Sequence, residues 1–226
     1  MQGTIVNAVA VVVGGLIGII LGRRFPDKIK AIVFQGIGLV TLLIGFQMAT
    51  QTNNVIPLFL SMVIGGIIGE ALNIEKHIEN FGNFIKARLG NEEDKFVEGF
   101  ITAYLLFCTG SMTIVGSIED GLNANPTILY AKSMMDFFAA ASLSPTLGVG
   151  VLFSAIPLFL FQGGITLMAS MSKAFFTNEI IKELSAAGGL ILIGLGINML
   201  EIRKIRVANF LPALLVIALI TYALTF

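Results

Sequence analysis

Residues 1–22 run without a single charged side chain, through the stretch GTIVNAVAVVVGGLIGIILG. That feature constrains the fold more than any other. About 20 helical residues cross a hydrocarbon core of roughly 30 Å, and runs near that length recur along the chain. Lipid offers no hydrogen bonds to an open backbone, so only helices or closed barrels cross it. The runs are continuous rather than alternating, which excludes a barrel. Composition agrees: 56% of residues are hydrophobic and 12% charged, with a mean hydropathy of +0.91. Soluble domains carry roughly 25% charge. The chain reads as an all-α integral membrane protein, and its 25 glycines fit helices that pack through small residues. The opening segment MQGTIVNAVAVVVGG lacks the basic stretch of a cleaved signal peptide and reads as the first span.

About eight spans are expected, over residues 4–22, 31–50, 55–72, 99–118, 127–143, 147–170, 185–200 and 207–225. Loop charge orients them. The 1–2 loop holds Arg23, Arg24, Lys28 and Lys30, the 3–4 segment holds Lys76, Lys86, Arg88 and Lys95, and the 7–8 loop holds Arg203, Lys204 and Arg206. The 2–3 loop has no base and the 4–5 loop, EDGLNANP, is acidic. Basic loops fall on one side, which the positive-inside rule makes cytoplasmic, with both termini outside. Lys173 and Lys182 in the 6–7 loop run against it. In the 3–4 segment, Ile74, Ile78, Phe81, Phe84, Ile85 and Leu89 recur near helical spacing and predict an amphipathic helix at the cytoplasmic interface. His77, alone on it, reads as structural.

The chain also resembles itself. FPDKIKAIVFQGIGLVTLLIGFQMA, from Phe25, aligns without a gap on FTNEIIKELSAAGGLILIGLGINML, from Phe176. Gly38-Leu39 meets Gly189-Leu190, Gly45 meets Gly196, and Met48 meets Met199. Gly14-Gly15 and Gly163-Gly164 precede the two stretches, and Pro57 and Pro212 follow them. Spans 1–3 thus read as a repeat of spans 6–8. Five spans separate equivalents, so the repeat is inverted. The expected organisation is an N-terminal repeat over 1–72, a cytoplasmic amphipathic helix and linker over 73–98, central spans 4 and 5 over 99–143, and a C-terminal inverted repeat over 144–226. Inverted repeats give two related states, one open to each side, and many secondary transporters are built this way. Dual-facing channels and simple duplicated bundles share the symmetry.

Polar residues gather in the central spans. The segment LLFCTGSMTIVGS carries Cys108, Thr109, Gly110, Ser111, Thr113 and Ser117, and the fifth span carries Lys132 and Asp136. A charge at mid-bilayer costs about 2.5–3.5 kcal/mol on insertion scales, and such groups face a bundle interior or a water-filled path. Three readings of Asp136 compete: it binds a substrate or coupling ion, it pairs structurally with Lys132 one turn away, or it lies near the surface on a short, tilted span. The CTGSMT run has two readings. Small residues allow close helix approach and hydroxyls bond back to carbonyls; or Gly110 breaks the span and frees backbone groups for a site. Asn7, Gln35, Gln47, Gln162 and Asn198 are the other intramembrane amides, and Gln47 aligns with Asn198 in the repeat, which predicts a common role.

GTIVNAVAVVVGGLIG, the GGIIGE of span 3 and above all FCTGSMTIVGSIEDGL resemble the DUF554 family of bacterial membrane proteins over nearly the whole chain. The resemblance implies a multi-span protein of the bacterial plasma membrane, and no settled substrate or activity. It highlights Asn7, Gly14, Cys108, Gly110, Ser111, Met112, Gly116, Asp120 and Gly121. The expected function is secondary transport of a small solute or ion. Asp136, Lys132, Asn7, Cys108, Thr109, Gly110, Ser111 and Thr113 are the candidate binding residues. A channel, or a structural or signalling membrane protein, is the alternative. No enzyme activity is expected: the chain has one His and no HExxH or Ser/His pattern. No cofactor or metal is expected, since one Cys without a nearby His makes a poor ligand set. Net charge is zero, so nucleic acid is not an expected partner. The bilayer is, and a homodimer is a further expectation.

Overall fold

The computed structural model describes residues 1–22, 26–88, 95–108, 111–171 and 177–225. Among these, the regular elements are helical: α1 (Gln2–Gly22), α2 (Asp27–Ala49), α3 (Val55–Ala71), α4 (Ile74–Arg88), α5 (Phe96–Cys108), α6 (Ser111–Asn123), α7 (Thr127–Leu147), the single turn α8 (Gly150–Phe153), α9 (Ala155–Met171), α10 (Asn178–Met199) and α11 (Pro212–Thr225), with a 3₁₀ turn at Val207–Phe210. Among the described residues, four stretches are long and apolar enough to cross a membrane: Gln2–Gly22, Gly150–Met171, Asn178–Met199 and Val207–Leu224. Two bent pairs raise the number to six, α3 with α4 at 54° and α5 with α6 at 59°. Asp27, Lys28 and Lys30 open α2 and leave Phe34–Ala49 as its apolar part. Helix α7 carries Lys132 and Asp136 and is not among the six.

Small residues set which helices touch. Along α1, Gly3 faces Leu129, Gly14 faces Phe137, Gly18 faces Ala141 and Gly22 faces Pro145. Both numbers rise together, so α1 and α7 run parallel. A methyl group at Gly14 or Gly18 would overlap the carbonyl oxygen of Phe137 or Ala141, which is backbone approach of the kind that glycine faces permit. Three other pairs run antiparallel. In α2 and α10, Gly45 meets Gly189 and Gly38 meets Gly196. In α3 and the chain leading into α11, Gly65 meets Ala213 and Gly69 meets Asn209. Gly15 of α1 meets Leu152, while Met1 and Thr4 face Gly163 of α9. Helix α10 lies at the centre: 67% of its apolar window is buried, against 33% for α1. Its Ala186-Ala187-Gly188-Gly189 run admits neighbours from several sides.

The connections are tied by polar side chains. Asn54 caps α3 by accepting from the Ile56 N–H, and Thr177 caps α10 by accepting from the Ile180 N–H, each satisfying a free helix-start donor. Glu183, buried on α10, accepts from the Thr52 hydroxyl at 2.7 Å and the Asn53 N–H at 2.8 Å. Removing it costs the two donors this acceptor, about 0.5–1.5 kcal/mol net because Thr52 is half-buried and Asn53 exposed to water. Glu183→Leu is therefore expected to lower the unfolding free energy by about that amount, read from thermal melts in detergent. An unchanged melt would mean that the loop holds itself. At the opposite, basic end, Glu70 pairs with Arg206 and accepts from Asn209 Nδ2 at 2.8 Å. The Glu75 N–H at the start of α4 donates to Asn209 Oδ1 at 2.7 Å. These bonds, with the Phe81 ring 6.1 Å from that of Phe100, seat α4 across the end of the bundle. It is the amphipathic helix that the apolar spacing predicts.

Two expectations change here. Asn198 brackets the loop after α10, donating to the Ile205 carbonyl at 2.8 Å and accepting from the Ile205 N–H at 2.7 Å, whereas the Gln47 side chain is exposed. The common role fails because only one of the two loops folds back within reach. The acidic 4–5 loop begins later than expected: α6 continues to Asn123 and carries Glu119 and Asp120 with it.

Candidate functional site

Lys132 and Asp136 stand one turn apart on α7, on the face that meets α1. The Lys132 ammonium donates to both carboxylate oxygens of Asp136, at 2.7 and 2.8 Å. The two residues are 6% and 5% exposed. At 1.5 Å per residue, Asp136 lies roughly 13 Å from the start of α7 and roughly 16 Å from its end, close to the middle of the helix. The glycine face of α1 brings Asn7 alongside. Asn7 Nδ2 donates to Asp136 Oδ2 at 2.9 Å and to Gln162 Oε1 of α9 at 3.3 Å. Four side chains from three helices therefore form one buried chain of bonds, with no net charge.

The cluster is incompletely bonded. Asn7 Oδ1, Gln162 Nε2, Thr4 Oγ1 and Ser117 Oγ are buried polar atoms without a partner. Thr4 lies one turn before Asn7 on α1. Ser117 lies one turn before Gly121, which packs on the Thr166 carbonyl of α9. Other hydroxyls close on their own helices: Ser133 donates to the Leu129 carbonyl and Thr166 to the Gln162 carbonyl. An unpaired buried polar group costs about 1–3 kcal/mol, so the bare Asn7 Oδ1 and Gln162 Nε2 beside one ion pair mark a place where stability yields to something else.

The break between α5 and α6 sits beside this cluster. Cys108 ends α5, fully buried, near enough to Lys132 and Asp136 for their charges to act on it. Thr113 Oγ1 donates to the Phe107 carbonyl at 2.7 Å, so it satisfies a carbonyl at the end of α5 and holds the bend. Of the candidate residues, Asp136, Lys132, Asn7 and Cys108 come together, and Thr113 shapes the break next to them. Thr109 and Gly110 lie outside the described residues, as does the Ser111 side chain. Gln162 completes the cluster; in the sequence it is one amide among five, and nothing in its neighbours marks it as the one that meets Asn7.

Beyond the cluster, towards the end of α6, buried Asp120 accepts from the Met1 amino group at 2.8 Å and the Gly3 N–H at 3.2 Å. A carboxylate there satisfies free N–H groups and the dipole at the start of α1. Towards the basic end lies a cleft. One cavity of about 520 Å³ is lined by Glu75, Glu98, Thr102, Leu105, Arg203 and Lys204, among others. A second of about 510 Å³, with Gln35, Lys95 and Pro145, shares Phe34, Glu98, Met199 and Glu201 with the first. Ile101 and Leu105 line the cleft, and Cys108 continues their row along the same helical face. The charged cleft thus stops about one turn short of Cys108 and the ion pair behind it.

The chain is 33% identical to the "Uncharacterized membrane protein YdfK" of Bacillus subtilis (strain 168) over 221 residues, which cover 96% of this chain and 93% of that protein. It is 31% identical to the "Uncharacterized protein YqgA" of Escherichia coli (strain K12) over 218 residues, covering 94% and 93%. No solved structure matches. The family model described as "Protein of unknown function (DUF554)" matches residues 2–222, and the chain belongs to that family.

Proposed function

We propose that this protein is a secondary transporter of a small solute or ion, crossing the bacterial plasma membrane eight times with its termini outside. The observation that carries the reading is the Lys132–Asp136 pair, held near the middle of α7 beside a broken helix, with Cys108 between it and a charged cleft. Buried intramembrane charges that face a bundle interior mark transport paths and relays, and discontinuous helices beside them are the usual substrate-site architecture of carriers.

Helix direction supports the eight-span inverted repeat. In such a path the first and fifth spans run the same way, as α1 and α7 do. Each repeat helix opposes its equivalent, as α1 does α9, α2 does α10, and α3 does α11. The contacts of Gly45 with Gly189 and of Gly38 with Gly196 exchange under the alignment of the two halves. The cleft opens at the basic, cytoplasmic end, while Asp120 and Glu183 tie the other. The apolar outer faces of α2 and α3 meet lipid or a second copy.

The chain has one cysteine, which makes the test direct. Membrane-impermeant maleimide is applied to right-side-out and to inside-out vesicles. A carrier exposes its centre to each side in turn, so Cys108 is expected to react slowly from both faces, and faster from the cytoplasmic one. A thiol inert from both faces would sink the carrier reading in favour of a structural role. Steady ionic conductance would replace it with a channel.

A further inference from the structure

We propose that Asp136, Asn7 and Lys132 form a site for a small monovalent cation, at which one Na⁺ exchanges for one proton. The inference rests on the carrier reading and names its coupling ion. The buried cluster is neutral because the Lys132 ammonium bonds both oxygens of Asp136. A cation that reaches Asp136 while Lys132 stays charged leaves an uncompensated positive charge in low dielectric, where ions are strongly disfavoured. Neutrality returns if the Lys132 Nζ–H bond breaks, its electron pair stays on nitrogen, and the proton leaves to water once the carrier opens the cleft to the pair. Na⁺ then takes the place of the ammonium on the carboxylate. The reverse step restores the ion pair.

The unpaired atoms supply the ligands. The Asn7 amide now turns Nδ2 to Asp136 and leaves Oδ1 bare, while Gln162 leaves Nε2 bare. A half-turn of both amides keeps their mutual bond, with Gln162 Nε2 donating to Asn7 Oδ1. It also directs Asn7 Oδ1 at Asp136 Oδ2. Two oxygens at that spacing repel unless Asp136 is protonated or a cation lies between them, and the cation is the case that keeps Asp136 ionised. Thr4 Oγ1, unpartnered one turn away, adds a third oxygen to the same face of α1. Oxygen donors suit hard cations, and among the described residues no three His, Cys, Asp or Glu side chains are placed to hold a metal ion.

The other ionisable groups near α7 are few. Helix α1 offers only the amino group that bonds Asp120. Helices α8 and α9 have no titratable side chain. Helix α6 brings Glu119 and Asp120, and α5 brings Glu98, Tyr104 and Cys108. Helix α2 has Asp27, Lys28 and Lys30 in its first turn, and α7 itself adds Tyr130. Cys108 is the rival proton source, and a variant separates it from Lys132.

The experiment uses the full chain in detergent, in weak buffer at alkaline pH, with an indicator dye. NaCl is added, and choline chloride and KCl serve as controls. Wild type is expected to release about one proton per Na⁺ bound. Lys132→Gln is expected to bind Na⁺ about tenfold more tightly, read from thermal stabilisation, and to release none. No release from wild type, or undiminished release from Lys132→Gln, overturns the proposal. The wild-type result decides by itself should the variant not fold. If Na⁺ is inert while Cys108 still opens to both faces, the cation site falls and the carrier stands. If both fail, both readings fall.

Discussion

Asp136→Asn is expected to lower the unfolding free energy by about 3–5 kcal/mol, the cost of leaving a buried charge without its partner. Lys132 would keep its ammonium at 6% exposure against a neutral amide, or lose its proton at comparable expense. The paired change Lys132→Met with Asp136→Leu is expected to recover most of the loss, because apolar replacement of a buried ion pair is often neutral or stabilising. Reversible unfolding in mixed SDS micelles, followed by circular dichroism, compares the three proteins. A double variant no more stable than Asp136→Asn would show that the pair is not the unit that sets the cost. Function should run the other way. The double variant folds, yet its centre has lost every charge, so Cys108 should stay shielded from both faces in the maleimide assay.

Gly18→Leu is expected to be nearly as damaging for a steric reason. The added side chain meets the Ala141 carbonyl oxygen, which belongs to the backbone of α7 and has no rotamer to change. Overpacking typically costs about 1–3 kcal/mol, occasionally more, and a rigid opposing surface places this case at the upper end. The effect reaches beyond stability, because moving α1 off α7 also draws Asn7 from Asp136. Gly36→Leu and Gly164→Leu are the controls. Neither position has an atom within 4 Å of the added carbon, and open-surface changes stay within about 0.5 kcal/mol. If Gly18→Leu melted with the controls, α1 and α7 would not pack as described.

The sequence disclosed what depends on spacing and missed what depends on distance. Continuous apolar runs gave helices, and the apolar positions from Ile74 onward gave α4. The four-residue step from Lys132 to Asp136 put both on one face of one helix. Asn7 stands among the candidate binding residues, but neither it nor Gln162 shows its partner in the sequence. Their partners lie 129 and 155 residues away, and no periodicity reports a contact of that separation. EDGLNANP reads as a turn, yet Asp120 lies within α6. Its place is decided by the start of α1, which needs an acceptor and finds one there. Gln47 and Asn198 show the opposite error: an aligned pair of amides invites symmetry, but the two loops differ in shape, and only Asn198 has a backbone to bracket.

The bond between Asn7 and Asp136 has a consequence for synthesis. Its donor belongs to α1, and its acceptor comes 129 residues later. At about 5–20 residues per second, the ribosome needs roughly 6–26 s to close that interval. Throughout it, the N-terminal helix waits in the membrane with its amide unmatched and its glycine groove open to lipid, and the fold is not committed until the seventh helix has been made.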